Sequence, residues 1–168
     1  MGFDLTKRSD VVAFYGIKGS ADAVTYHRMK GFTEISTSLN PKEYTRQYVD
    51  EDFERTDITG YGRSISYAMD ELTDDPVQTD LISVEEDELT GSAAVREIVM
   101  VYLNKPVSGS EGAYEARKRS FTVIPDSSGD SLDAMTHSGT LRANGDMVIG
   151  KATTTDEWQT MTFTEDTE

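Results

Sequence analysis

The residue types that most often carry chemistry are scarce or poorly spaced in this chain. Its 168 residues include two histidines, His27 and His137, and no cysteine. The histidines stand far apart, without the HxH or HExxH spacing that puts two imidazoles on one metal. Each is therefore expected to be a strand or surface residue and not a ligand. The run DSSGDSLD, Asp126 to Asp133, has some flavour of a calcium loop. It lacks the glycine and terminal glutamate spacing of an EF-hand and reads as a turn. No serine sits in a GxSxG elbow, and Gly60-Tyr61-Gly62 opens neither a Walker-type loop nor a GxGxxG turn. Carboxylates are abundant, 31 against 16 Lys and Arg, so spacing alone cannot single out a catalytic pair. The expectation is a protein that is not an enzyme, with no metal and no cofactor.

Composition narrows the partners. A formal charge of −15 excludes binding to nucleic acid through a general basic surface, which works by neutralising phosphates. The acidity reads first as a solubility device, and second as a surface that meets DNA without holding it. No run approaches the ~18 apolar residues of a membrane helix, no signal peptide opens the chain, and no membrane partner is expected. The absence of cysteine suits a reducing cytoplasm. The length fits a single domain with a real core.

The elements that would position these side chains are mostly strands. Residues 1–30 contain VVAFYGI and read as first strands or as a docking arm. From Phe32 to Leu39, Ile35, Thr37 and Leu39 alternate with Glu34, Ser36 and Ser38, and Asn40-Pro41 ends the run. A polar stretch, 41–60, is expected as a long loop. Ser64 to Met69 alternates again, with Ile65, Tyr67 and Met69 on one face. Asp74-Asp75-Pro76 then predicts a helix over about 76–89, with Val77, Leu81 and Val84 as its apolar stripe. Glu85 to Glu88 oppose the helix dipole by ~0.3–1 kcal/mol each, so either the helix ends early or the acidic patch has a purpose. Ala94 to Leu103 reads as a central, covered strand, and Tyr114 to Pro125 as another. Asn144-Gly145 predicts a hairpin between 134–143 and 147–153. A last strand, 158–163, leads to an acidic tail, 164–168. About seven or eight antiparallel strands and one helix imply a mainly β fold, a β-sandwich or rolled barrel with one flanking α-helix.

One segment carries a further signal. Tyr44, Arg46, Tyr48, Asp50 and Glu51 are followed by Thr56, Gly60-Tyr61, Ser64-Ile65-Ser66-Tyr67 and Asp70. Ser138-Gly139-Thr140, Gly145-Asp146 and Gly150 come later. This order resembles the major tail tube proteins of long-tailed bacteriophages, across about 31–163. The resemblance implies hexameric rings stacked into a tube, whose inner strands join into one barrel around a channel. It implies that Glu34, Ser36, Ser38, Ser64, Ser66 and Asp70 line that channel, with Ile35, Leu39, Ile65, Tyr67 and Met69 in the core. It makes 41–60 a ring-to-ring contact through Tyr44, Arg46, Tyr48, Asp50, Glu51 and Arg55. The implied partners are further copies of the chain, a tape measure protein, a tail terminator, baseplate or tip proteins, a sheath in contractile particles, and DNA in passage. The implied location is the virion tail, assembled in the host cytoplasm. Other tube components remain alternatives (a terminator, a contractile bacteriocin tube or a secretion tube), as does a monomeric β-sandwich binding module.

Overall fold

Two strands that are apolar on both faces organise this molecule, whose computed structural model describes residues 2–167. They are β1 (Val11–Lys18) and β7 (Val95–Pro106), hydrogen-bonded side by side and antiparallel. The other strands are β2 (Val24–Arg28), β3 (Phe32–Ser38), β4 (Pro41–Arg46), β5 (Arg55–Tyr61), β6 (Ser64–Asp70), β8 (Tyr114–Ser128), β9 (Thr136–Ala143), β10 (Val148–Thr153) and β11 (Thr160–Glu165). The single α-helix, α1, spans Pro76–Glu86. The fold is mainly β and antiparallel, with a flanking helix, as composition and periodicity predict.

The sheet runs β10-β11-β2-β1-β7-β8-β9-β6-β3, and β10 also pairs with β8. That extra pairing closes the strands from β10 to β8 into a barrel, and β8-β9-β6-β3 extends from it as a wing. Barrel closure removes the sheet edges on that side. The barrel interior holds Phe14, Val99, Val101, Ala116 and Ala152, each 0% exposed. The opposite face of β1 and β7 continues onto the wing, where Tyr15, Ile98, Ile65, Met69, Val123 and Leu141 pack against α1.

The helix begins where the sequence predicts. Asp75 caps it, accepting from the amides of Val77 at 3.0 Å and Gln78 at 3.1 Å. Its end comes earlier than expected, at Glu86. Burial of Val77, Leu81 and Val84 stabilises it by about 1.5–3 kcal/mol each, which outweighs the dipole cost of the terminal acids. Glu85 also gains a partner, since its Oε2 lies 2.9 Å from His137 Nδ1.

Several expectations are corrected. Residues 41–60 are not a loop: β4 and β5 form a two-stranded ribbon from Pro41↔Tyr61 to Arg46↔Arg55. Asn144-Gly145 makes no hairpin. Both β9 and β10 pair antiparallel with the same edge of β8, β9 along 121–128 and β10 along 114–118. Asn144 is held by that strand, donating its amide to Ser120 O at 2.8 Å and Nδ2 to Thr122 Oγ1 at 3.0 Å. The chain therefore runs on along β8 instead of reversing. Residues 11–28 supply β1 and β2 and are part of the sheet, while residues 2–9 lie exposed; Met1 is outside the described residues. The start of the expected acidic tail is strand, because Glu165 pairs with Gly150; Glu168 is outside the described residues.

Two buried polar groups hold α1 on the wing. Gln78, 0% exposed, accepts from Leu72 N–H at 2.6 Å and donates Nε2 to Lys30 O at 2.9 Å and Asp70 O at 3.0 Å. Gly31 adopts φ +74 here, and a Cβ on it would stand 2.6 Å from Gln78 Nε2. His137 on β9, 4% exposed, lies between Glu85 of α1 and Glu71, whose Oε2 is 3.0 Å from Nε2. Burial disfavours its charged form, but the hydrogen bonds to Glu71 and Glu85 more than offset this, and its pKa is raised. With a carboxylate at each ring nitrogen, only imidazolium donates to both.

Replacing Gln78 with Leu orphans the Leu72 amide and the Lys30 and Asp70 carbonyls, at the end of β6 and just before β3. Urea unfolding of Gln78→Leu is expected to show a loss of roughly 2–4 kcal/mol. His137 predicts a pH dependence. Its folded-state pKa lies above the ordinary 6.5, so its contribution is fully present below pH 6.5 and is lost as pH rises through the folded value. As pH rises from 6 through that raised value, the urea midpoint of the native protein is expected to fall, and that of His137→Gln to fall less.

Candidate functional site

Alternation in β3 and β6 places side chains on two faces, and the register decides which ones meet. Ser38 stands opposite Ser64, Ser36 opposite Ser66, and Glu34 opposite Ala68, after an irregularity between Phe32 and Glu34. On the far side of β6, Ser64 pairs with Arg142, Ser66 with Thr140, Ala68 with Ser138 and Asp70 with Thr136. Glu34, Ser36, Ser38 and Asp70 are exposed, while Ser64 and Ser66 are half-buried. The six residues expected on a channel wall thus share one face of the wing. That face is wider than the sequence reading had it, because Ser138, Thr140 and Arg142 of β9 continue it. The period-2 alternation of SGTLRA carries that signal.

The opposite face is apolar. Ile65, Tyr67 and Met69 are 2%, 3% and 2% exposed, and Ile35 is half-buried against the same core. Leu39, expected in the core, is 45% exposed. It lies beyond β3, next to Asn40, which takes a positive φ of 44 and turns the chain out of the sheet. Asn40 holds this kink by donating Nδ2 to Gly62 O, and by accepting from Gly62 N–H, each at 3.0 Å.

Past the kink, β4 and β5 project as a free ribbon of about 20 Å at ~3.3 Å per residue. Two ion pairs brace it from within, while Lys42, Glu43, Asp50, Asp52 and Glu54 form none among the described residues. Arg46 pairs with Asp57, and its guanidinium lies over the rings of Tyr44 at 5.4 Å and Tyr48 at 5.5 Å. Arg55 grips Glu51 with two bonds, Nε at 2.7 Å and Nη2 at 2.6 Å. Of the residues expected to contact a neighbouring ring, Arg46, Glu51 and Arg55 thus brace the ribbon. Asp50, Tyr44, Tyr48 and Tyr61 are exposed, as are Val49, Phe53 and Ile58, which the sequence reading did not single out. An isolated hairpin is marginal in water, and these exposed side chains are not buried by any other described part of the chain.

The wing also ends in an open strand. β3 is the terminal strand of the sheet, so its outer edge has no paired strand among the described residues. Elsewhere, a cavity of about 560 Å³ lies between α1 and the β7 side of the sheet, lined in part by Asp80, Arg96 and Glu97. Three of its charged groups are already engaged: Tyr15 donates to Asp80 at 2.5 Å, Arg96 Nε to Asp80 at 2.7 Å, and Tyr26 to Glu97 at 2.6 Å. Burial first, and then the adjoining carboxylate, pushes both tyrosine hydroxyls far above the usual phenol range. They are fixed neutral donors. Among the described residues, no group of three or more His, Cys, Asp or Glu is arranged to hold a metal.

No protein-family profile matches the sequence, and no curated protein is similar to it. Solved structures are similar. A chain from the tail of an empty gene transfer agent particle, determined by helical refinement with C6 symmetry, superposes with TM-score 0.61 at 12% identity, covering 85% of this chain and 97% of that one. A chain from the virion of the native gene transfer agent particle gives TM-score 0.58 at 11% identity, covering 86% and 98%. At these identities the likeness is one of fold alone.

The ribbon shares no core with the barrel, so its bracing is local. Arg46→Ala is expected to speed proteolysis within 47–54 several-fold while leaving the global urea midpoint unchanged; mass spectrometry of limited digests reads the first and tryptophan fluorescence the second.

Proposed function

We propose that this protein is a non-enzymatic structural subunit of a virion tail: a tail tube protein that forms hexameric rings and stacks them around a channel. The observation that carries this reading is the wing, where a hydroxyl-rich face, an unpaired β3 edge and a projecting ribbon occur on one four-stranded unit. An open edge joins neighbours by strand addition, and repetition around a ring closes the edges that a monomer leaves open. The similarity of fold to chains of gene transfer agent particles, one of them from a C6 helical tail, supports it.

In this reading Glu34, Ser36, Ser38, Ser64, Ser66 and Asp70 face the channel, together with Ser138, Thr140 and Arg142. Such a wall is mostly hydroxyl. With few cations to bind phosphates, DNA passes without being held. The ribbon reaches the adjoining ring and presents Val49 and Phe53 to it. The channel carries a tape measure protein during assembly and DNA during ejection. A terminator and baseplate or tip proteins bound the tube, which is assembled in the host cytoplasm.

Negative-stain microscopy of the purified protein at rising concentration tests this. Hollow tubes or six-fold rings are expected, and a variant with 41–61 replaced by a short Gly-Ser turn is expected to form rings that do not stack. A protein that stays monomeric at all concentrations sinks the proposal, and single rings from the intact protein would instead identify a terminator.

A further inference from the structure

The wing is electrically polarised along its strands. At the end from which the ribbon projects, Arg63 precedes β6, Arg142 sits in the last turn of β9's pairing, and β8 brings up Arg117, Lys118 and Arg119. Arg63, Arg117, Lys118 and Arg119 line one small cavity of about 20 Å³ beside Ile65 and Met100, and no carboxylate lines it. Among the described residues, Arg63, Arg119 and Arg142 form no ion pair; Lys118 forms none either but lies over the Phe163 ring at 4.9 Å, and Arg117 donates to Ala116 O at 3.1 Å and reaches Glu115 at 3.9 Å. Arg119 Nε is buried without a hydrogen-bond partner, which is costly unless something else supplies one. Asp146, on the connection from β9 to β10, is an exposed acid at the same end that pairs with none of these cations.

The other end has the opposite sign. Asp70 closes β6 and Asp74 follows it, while Asp126, Asp130 and Asp133 lie on the end of β8 and its connection to β9. Two backbone bonds, Glu71 N–H to Met135 O at 2.8 Å and Gly129 N–H to Thr136 O at 2.9 Å, bring these segments together. All five carboxylates are exposed, and the backbone of Lys30, just before β3, is tied to that of Asp70 through Gln78. The two ends are about 20 Å apart along β6, at ~3.3 Å per residue. In a chain of net charge −15, this gathering of cations at one end of the wing is a local exception that suits an anionic partner.

We infer that the acidic end of one copy's wing docks on the basic end of the next copy, head to tail. The inference rests on the proposed tube and adds a second axial contact beside that of the ribbon. A second copy is the partner because it carries the complementary cluster on the same unit, at the opposite pole. Such an interface is heterologous: it does not close on itself by a two-fold, and it repeats into an open stack. Complementary end charges also fix polarity, because like ends repel and the units can add in one orientation only.

Charge reversal at each end tests this. Arg63→Glu with Arg142→Glu reverses one pole, Asp130→Lys with Asp133→Lys reverses the other, and a fourfold variant reverses both. Circular dichroism checks folding, and light scattering with microscopy reads the critical concentration for stacking. Each single-pole variant is expected to raise that concentration more than about tenfold, and the fourfold variant to restore it to within about threefold of the native protein. Stacking of the native protein is expected to weaken with salt. The Asp130→Lys, Asp133→Lys variant keeps a native basic end, so added in small amounts to native protein it is expected to cap growth and shorten tubes. That measurement stands even where the arginine variant fails to fold. Native tubes with single-pole variants that stack equally well would overturn this inference alone. So would a folded fourfold variant that stays unstacked, or an added capping variant that leaves tube length unchanged. A native protein that never forms rings or tubes would overturn the tube reading with it.

Discussion

The architecture depends on one long strand. β8 runs from Tyr114 to Ser128, and along its full length one edge serves two partners in succession, β10 over 114–118 and β9 over 121–128. The first pairing closes the barrel and the second launches the wing. A shorter strand would satisfy one set of backbone groups and leave the other open, which is costly for buried amides. The sheet can therefore be closed at one end and open at the other without a domain boundary between them. Both cores follow from this. One lies inside the barrel and the other between the continuing sheet and α1.

Polar groups then decide how the wing is carried. Apolar contacts of α1 fix that it packs on the sheet, but they are non-directional. Gln78 and His137 supply direction, each binding groups from separate elements in a nearly dry environment. Removing one such partner leaves the others unsatisfied, so these contacts rigidify more than their number suggests. The ribbon has no comparable support. It relies on Arg46, Arg55 and cross-strand pairs that are open to water, where such interactions are individually weak.

The alternation in β3 and β6 was legible because one face is polar and the other packs on the core, and a one-residue slip would exchange them. The start of α1 was equally clear, since Asp75 and Pro76 act within one turn. The expected loop at 41–60 hid a ribbon because both of its faces are exposed, so burial imposes no alternation that a reader can see. Leu39 was misplaced for a related reason: it continues the period of β3, while the positive φ of Asn40 ends the sheet there. Asn144-Gly145 failed as a hairpin signal because a local turn preference was overruled by an available edge on β8.

The amino-acid sequence by itself determined what local periodicity and composition can express. It specified a cysteine-free, strongly acidic, mainly β chain with one capped helix and a covered central strand. Tertiary structure alone decided which distant residues meet. The barrel closure of β10 on β8, the Glu85–His137–Glu71 clamp and the collection of arginines at one pole of the wing join positions far apart in the chain. No short window contains such contacts. They arise when antiparallel register, set by burial over the whole sheet, brings separate strands into line.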